Sequence, residues 1–407
     1  MVPPRLVRRI VLVPLLIVIA AAVVVLFLPL ALLAVVFALA RGSRPGHSRS
    51  AEPRSAELPS APVPGQARGS RLGRLRALRL LSFALIWLVA ETAALFMCLA
   101  LWISSGFGGR LRTEPYQSRH YAIMEWYLGR LYGGAVSTLG LRIEVHEPEL
   151  TAGEQAARLA RPVIVLSRHA GPGDSLLLVH HLLTVYHRRP RIVMKAAMQL
   201  DPGLDVVANR VPNVFISPQR AGEKIYTDQI RRLAAGLGHD GALVIFPEGG
   251  NWTPGRWRRG IRRLERQGRA DLAARARDMP HLLPPRTGGA LAALAACPSA
   301  DVIFVGHAGL DQLASVADVW RALPIDHSVE ARWWRVPADE VPRAAGHEAQ
   351  VRWLYDWWAR IDVWITQHTP HSGTQQSETR QPETQPPEPQ PPGAEPPGPS
   401  PLDETLT

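Results

Sequence analysis

The chain has 407 residues, with 46 Lys and Arg, 35 Asp and Glu, and a formal net charge of +11. This length allows one large domain or two ordinary ones, with a substantial apolar core. Two cysteines, Cys98 and Cys297, argue against a disulfide framework or a zinc site of four cysteines. The positive charge favours anionic partners such as phosphates or acidic lipid headgroups, with nucleic acid as the rival partner.

Two apolar segments in residues 1–110 predict a membrane-anchoring region. Residues 10–40 contain no charged side chain, and residues 80–103 contain one, Glu91. Both segments exceed the roughly 20 residues that cross a hydrocarbon core of about 30 Å. Glu91 is either a functional intramembrane acid or a glutamate that faces the helix bundle.

The topology of these segments stays open at the level of sequence. If each segment crosses once, the loop 41–79 with its nine arginines prefers the cytoplasm, which puts the main domain outside. Alternatively, Pro14 and Pro29 break the first segment into a re-entrant hairpin, or both segments dip into one leaflet.

Residues 111–370 predict one α/β domain. After a helical region at 120–139, short β-branched and apolar runs occur at 162–167, 191–196, 213–217, 242–246 and 301–305. Helix candidates between them begin near Asp174, Gly222, Pro254 and Thr287. This alternation predicts a layered, mostly parallel sheet with flanking helices, which binds ligands at the carboxyl ends of its strands.

A last helix is predicted at 346–367, with large apolar residues at helical spacing: Leu354, Trp357, Trp358, Ile361, Trp364 and Ile365. They form either a core or membrane-facing stripe or part of a substrate site. The tail that follows, 371–407, holds ten prolines and no aromatic residue, so we expect it to be disordered.

The first chemical signal is His169, which follows the run 162–167. A Gly-Pro-Gly turn then leads to Asp174, which we place at the N-cap of the next helix, where it accepts from backbone N–H groups and faces the imidazole. A carboxylate on one ring nitrogen raises the basicity of the other. Because the sequence has no G-x-S-x-G elbow, the pair indicates a base for a substrate hydroxyl, with a structural histidine as the alternative.

The second signal is the sequence FPEGG, which begins at Phe246. Proline stops ladder pairing after a strand, and the two glycines let the backbone approach a ligand closely. Glu248 lies between the proline and the two glycines and is suited to hold a hydroxyl or to orient an arginine. The pair His169/Asp174 (H-x4-D) and the F-P-E-G motif, each at a strand end, resemble the glycerolipid acyltransferase family, which includes 1-acylglycerol-3-phosphate acyltransferases.

The resemblance covers roughly residues 121–321 and implies roles for particular residues. It implies that His169 is the catalytic base and Asp174 its orienting acid. It also implies substrate-binding roles for Lys195, Arg220, Glu248, Gly249 and Arg286. Arg286 enters through a Pro-Arg-Thr segment similar to that of the branch that includes lysocardiolipin acyltransferases.

The sequence departs from the family pattern at several positions. Gly171 stands where the family usually has serine, and Gly250-Asn251 replaces the common Thr-Arg after F-P-E-G. If that arginine normally binds phosphate, we expect Arg256, Arg258 or Arg286 to replace it. The fourth family motif, at 301–309, lacks its usual proline.

The implied activity is that of a membrane-bound O-acyltransferase of phospholipid synthesis. It transfers a fatty acyl group from acyl-CoA or acyl carrier protein to a hydroxyl of a lysophospholipid, without a metal or cofactor. Backbone N–H groups near the Gly-Pro-Gly turn are candidates to stabilise the oxyanion. Because thioester donors are intracellular, we expect the catalytic domain at the cytoplasmic face of the plasma membrane. The alternatives are a catalytically silent lipid-binding protein of the same fold and a lipid hydrolase.

The segment 256–277 carries nine arginines, with Trp257, Ile261 and Leu264 at helical spacing. It is either a solvated basic helix or a surface that docks on anionic headgroups. No nucleic-acid-binding motif accompanies this charge, so we expect membrane lipids, and not nucleic acid, as partners.

Overall fold

A computed structural model describes residues 2–42, 76–148, 151, 153, 160–171, 173–217, 223–313 and 316–369. The predicted disordered tail 371–407 and most of the arginine-rich loop 41–79 lie outside the described residues.

A seven-stranded sheet organises the domain. Its strands are β1 (Arg142–His146), β2 (Val163–Ser167), β3 (Arg189–Lys195), β4 (Val214–Ile216), β5 (Gly241–Ile245), β6 (Asp301–Ala308) and β7 (Ser328–Val336). Their order is β1-β7-β6-β2-β5-β3-β4, and all neighbouring pairs are parallel except β6 and β7. The predicted mostly parallel α/β sheet is therefore confirmed.

Eleven helices are described around this sheet. They are α1 (Arg5–Gly42), α2 (Arg76–Ser104), α3 (Glu114–Gly134), α4 (Asp174–Thr184), α5 (Pro202–Val207), α6 (Glu223–Ala235), α7 (Pro254–Arg266), α8 (Ala270–Arg277), α9 (Thr287–Ala296), α10 (Val316–Ala322) and α11 (His347–His368). The predicted helix starts at Asp174, Pro254 and Thr287 coincide with the observed ones.

The central strands are buried on both faces because their apolar runs are continuous. In β2, Ile164 and Leu166 join a core cluster with α9 and α11, whereas Val163 and Val165 pack on the opposite side with α3 and α4. The tryptophan stripe of α11 belongs to the first cluster, and Trp358 is fully buried there. This placement agrees with the core interpretation of the stripe.

The sequence interpretation missed β1 and β7. The side chains of β1 alternate between exposed and partly buried positions, and β7 mixes partly buried and buried positions with charged residues such as Glu330 and Arg332. Short alternating runs with charged residues are weaker signals than the continuous apolar runs of the central strands. Both missed strands lie at the side of the sheet where β7 runs antiparallel to β6.

The two apolar helices are long enough to cross a membrane. The most apolar 18-residue windows within residues 5–33 and 76–104 have mean hydropathies of 3.4 and 2.2, and 6% and 28% of these windows are buried inside the protein. Pro14 and Pro29 both lie inside the continuous helix α1, which disagrees with the alternative that they break the first segment into a re-entrant hairpin.

Helix α2 lies along the domain and contacts it at several points. Near its start, Arg76 Nε donates to Leu323 O at 2.7 Å. At its middle, Glu91 Oε1 accepts from Gly203 N at 2.9 Å, and at its end Tyr116 Oη donates to Ser104 O at 2.6 Å. Glu91 is buried against α5, which agrees with the interpretation that it faces protein.

The start of α1 also contacts α5. Arg8 and Arg9 both form ion pairs with Asp205 of α5, at 2.5 Å and 3.1 Å. Asp205 is almost fully buried, so these two charges compensate a carboxylate that burial alone would destabilise.

Candidate functional site

The candidate site lies at the carboxyl ends of β2, β5 and β3, where the chain carries His169, Glu248 and Lys195. His169 Nδ1 is 2.9 Å from Asp174 Oδ1 and 3.0 Å from Oδ2. With the carboxylate accepting from Nδ1–H, the lone pair of the imidazole lies on Nε2. The His169 side chain is 16% exposed, and its ring packs against Phe246 with a centroid distance of 4.7 Å.

The turn between the two residues holds the carboxylate in place. Ala170 N and Gly171 N donate to Asp174 Oδ2 at 2.7 Å and 3.1 Å. Asp174 is the first residue of α4 and accepts from amides that precede it, which differs from the N-cap prediction. These two amides are engaged by Asp174, so neither is free to bind an oxyanion.

The ionised form of Asp174 is favoured in this environment. Burial would raise the pKa of the carboxyl, but the neighbouring imidazoles of His169 and His307 hold it below its ordinary value. A carboxylate that stays ionised can orient His169 and stabilise it when it accepts a proton.

Glu248 is buried behind the dyad. It is 3% exposed, and its oxygens accept from His169 N at 2.8 Å and from Leu283 N at 2.9 Å. Burial raises the pKa of Glu248 to about 8, against the opposing effects of the Leu283 amide and the Arg168 charge. In this position the carboxyl group fixes the backbone at His169. Its predicted role in placing the acceptor stays a prediction.

Three cations surround the glycines that follow Glu248. A Cβ built on Gly250 would lie 3.1 Å from Lys195 Nζ and 3.4 Å from Arg256 Nη1, and one built on Gly249 would lie 3.0 Å from Arg286 Nε. Gly249 has φ of +67°, a conformation that favours glycine. Burial lowers the pKa of Lys195, and the charges of Arg256 and Arg286 add to that effect.

This cluster of Lys195, Arg256 and Arg286 is suited to an anion. Arg286 reaches it because its backbone N donates to Pro247 O at 2.8 Å, which fixes the Pro-Arg-Thr segment beside the F-P-E-G turn. The structure therefore brings together four of the five residues with an implied substrate role: Lys195, Glu248, Gly249 and Arg286. Arg220 lies outside the described residues.

An apolar cavity of about 120 Å³ opens beside the dyad. Aliphatic side chains of β2, β6 and α4 line it, among them Val163, Val165, Ile303, Val305, Leu177 and Leu182. Ser167, Asp174 and His307 contribute the polar groups at the edge near the dyad. The cavity therefore reaches the carboxylate of the dyad, although His169 itself is not among its lining residues.

The basic segment 256–277 forms two helices, α7 and α8. Gly268 with φ of +72° lies in the turn between them. Ile261 and Leu264 of α7 are buried, so the apolar stripe packs on the core and is not open to a bilayer. Most arginines of α7 are exposed on the opposite side.

Two further residues at the site were missed by sequence reasoning. Arg168 is 1% exposed, pairs with Asp311 at 2.5 Å and also donates to the backbone oxygen of His307. His307 places Nε2 3.6 Å from Asp174 Oδ2. A signal for His307 was present, since a polar residue interrupts the apolar run of β6.

Comparison with known proteins supports the same interpretation. Residues 142–302 match the model of a family described as Acyltransferase. A search of curated proteins finds no match. The matched range contains β1 to β5 and all residues of the dyad and the F-P-E-G turn. By this match and by the H-x4-D and F-P-E-G motifs, residues 142–302 form an acyltransferase domain of the glycerolipid acyltransferase family.

Proposed function

We propose that the protein transfers a fatty acyl group from an acyl thioester to a hydroxyl of a lysophospholipid such as 1-acylglycerol-3-phosphate. The family match supports acyl transfer in lipid metabolism. The observation that carries the proposal is the contact of 2.9 Å between His169 Nδ1 and Asp174, at the carboxyl end of a central strand. That contact prepares Nε2 to act as a base.

The proposed reaction is a direct transfer. His169 Nε2 takes the proton of the acceptor hydroxyl while that oxygen attacks the thioester carbonyl carbon. The tetrahedral intermediate collapses with cleavage of the carbon–sulfur bond, and the proton passes from His169 to the leaving thiolate. An ester and a free thiol result, no covalent acyl-enzyme forms, and Asp174 stabilises the imidazolium between the two proton transfers.

The apolar cavity is the proposed site of the acyl chain. Its aliphatic lining takes methylene groups out of water, and each buried methylene contributes about 0.8 kcal/mol. Its polar edge contains Asp174, which supports a binding mode with the thioester end of the chain at the dyad. The donor is proposed to be acyl-CoA or acyl carrier protein.

The cluster of Lys195, Arg256 and Arg286 is the proposed site for the phosphate of the acceptor. Three cations around Gly249 and Gly250 repel one another, and a phosphate would compensate that repulsion. In this proposal, Arg256 and Arg286 take the place of the family's arginine after F-P-E-G. The branch that includes lysocardiolipin acyltransferases stays a prediction.

Helices α1 and α2 are the proposed membrane anchor. Because α2 contacts the domain along its length, we propose that it lies in the interface of one leaflet and does not cross the bilayer. Its outward side chains include Phe96 at 55% and Ile103 at 52% exposure. We place the domain at the cytoplasmic face of the plasma membrane, where thioester donors are present.

Thiol release from acyl-CoA tests the proposal. The purified protein in liposomes is assayed with a panel of lysophospholipids, without acceptor, and with Asp174→Asn as the variant. We expect thiol release that requires an acceptor, a diacyl product, and loss of both in Asp174→Asn. No release with any acceptor, together with saturable lipid binding, would favour a silent lipid-binding protein. Equal release without acceptor would favour a hydrolase.

A further inference from the structure

His307 is a second buried imidazole at the dyad. It lies in β6, is 5% exposed and lines the apolar cavity next to Asp174. Neither of its ring nitrogens has a hydrogen-bond partner among the described residues. A buried polar group without a partner costs about 1–3 kcal/mol, so a functional reason for this histidine is expected.

The backbone around His307 is held rigidly. Its carbonyl oxygen accepts from the guanidinium of Arg168, which also pairs with Asp311 and donates to His281 O at 3.2 Å. On the other side, β6 pairs His307 with Ala331 of β7. The imidazole is therefore presented from a fixed strand.

Few charged groups surround this imidazole. Asp174 approaches from α4 at 3.6 Å, and His169 Nδ1 contacts the same carboxylate at 2.9 Å. His181 of α4 and Arg332 of β7 line the same cavity. Asp311 is already paired with Arg168. Asp174 is thus the carboxylate that His307 Nε2 faces.

We propose that His307 is a positioning residue of the dyad, which directs an N–H at Asp174 Oδ2 and thereby keeps the carboxylate aligned on His169. This inference rests on the proposed function of the dyad. Asp174 Oδ2 already accepts from Ala170 N and Gly171 N and lies 3.0 Å from His169 Nδ1, so His307, at 3.6 Å, would add a further donor from the cavity side. A donor on the carboxylate reduces the negative potential that it exerts on His169. Removing His307 would therefore increase the negative potential of the carboxylate at His169.

Three variants test this role. His307→Phe removes the N–H at similar size, and His307→Gln restores an N–H donor at similar reach. His180→Phe is the matched control, because His180 is also buried, lies on α4 and stacks on Tyr132 at 4.6 Å, away from the dyad.

For His307→Phe we expect kcat to fall about ten- to a hundredfold, with the KM for the acyl donor changed by less than about twofold. The acid limb of the pH profile of kcat/KM should move to higher pH by about 0.5 to 1 unit. His307→Gln should recover most of both effects, and His180→Phe should behave as the wild type. If His307 had only a structural role, His307→Phe would lower the activity without moving the acid limb of the pH profile.

An acid limb of His307→Phe that superimposes on that of the wild type overturns the inference, as does equal loss in His307→Gln. If His307→Phe does not fold, the comparison of His307→Gln with the wild type carries the same test. A second measurement needs no turnover: the pH dependence of His169 carbethoxylation by diethyl pyrocarbonate, followed by mass spectrometry, should shift in the same direction. It tests the inference even if the wild type transfers no acyl group.

Discussion

Glu248→Gln replaces an oxygen acceptor with an amide donor inside the site. Both oxygens of Glu248 accept from backbone amides, at 2.8 Å from His169 N and 2.9 Å from Leu283 N. A carboxyl group can accept at both oxygens whether or not it is protonated, whereas the nitrogen of an amide cannot accept. One of the two backbone N–H groups is therefore unpaired in either orientation of the glutamine.

The expected loss of stability in Glu248→Gln follows from the burial of Glu248 and of the two amides that donate to it. Leaving a buried donor unpaired costs about 1–3 kcal/mol, so the free energy of unfolding should fall by about 2 kcal/mol. Because the lost contact fixes the backbone of His169, we expect kcat to fall about tenfold or more. The KM for the acceptor should stay close to that of the wild type, since Glu248 is 3% exposed and its oxygens face backbone amides.

Urea unfolding measures the loss of stability, and steady-state kinetics on the same preparation measure the fall in kcat. Glu340→Gln is the control, because Glu340 is exposed and lies far along the chain from the dyad. A raised KM for the acceptor at unchanged kcat would refute our reasoning. It would favour the role implied by the family resemblance, in which Glu248 places the acceptor.

Three further predictions concern the anion cluster, the cavity and the dyad. Inorganic phosphate should raise the melting temperature of the wild type by mass action, and Lys195→Met should reduce that rise, as measured by differential scanning fluorimetry. Val163→Phe fills part of the cavity at the start of β2, away from the dyad, and should shift preference to shorter acyl chains, with each excluded methylene lowering kcat/KM about fourfold; an unchanged chain-length profile contradicts this. Because the folded-state pKa of Asp174 is lowered, the free energy of unfolding of the wild type should fall as the pH drops below about 4. Asp174→Asn should show a weaker fall in urea unfolding. Parallel curves of stability against pH for the two proteins would contradict this.

Sequence reasoning identified the parts of the site that lie close together along the chain. His169 and Asp174 are joined by one short turn, so their contact follows from the segment alone. The central strands were recognisable because both faces are buried and their apolar runs are continuous. The family motifs then connected this segment with the F-P-E-G turn.

Contacts between distant segments could not be derived in this way. The burial of Glu248 depends on the amide of Leu283, which comes from a loop 35 residues later in the chain. The approach of His307 to Asp174 requires that β6 lie beside β2, with Val305 opposite Ser167. The contact of α2 with α5 likewise joins Glu91 to Gly203, and hydropathy alone does not reveal it.

The most direct test of the central claim is a single-turnover measurement of acyl transfer by His169→Ala. Labelled acyl-CoA, acceptor and excess enzyme in liposomes are mixed and quenched, with His239→Ala, at an exposed position, as the control. General base catalysis contributes about 10² to 10⁴-fold, so the rate of His169→Ala should fall by at least about a hundredfold while His239→Ala is unaffected. A His169→Ala rate within about tenfold of the wild type, or label bound covalently to the protein, would contradict the account.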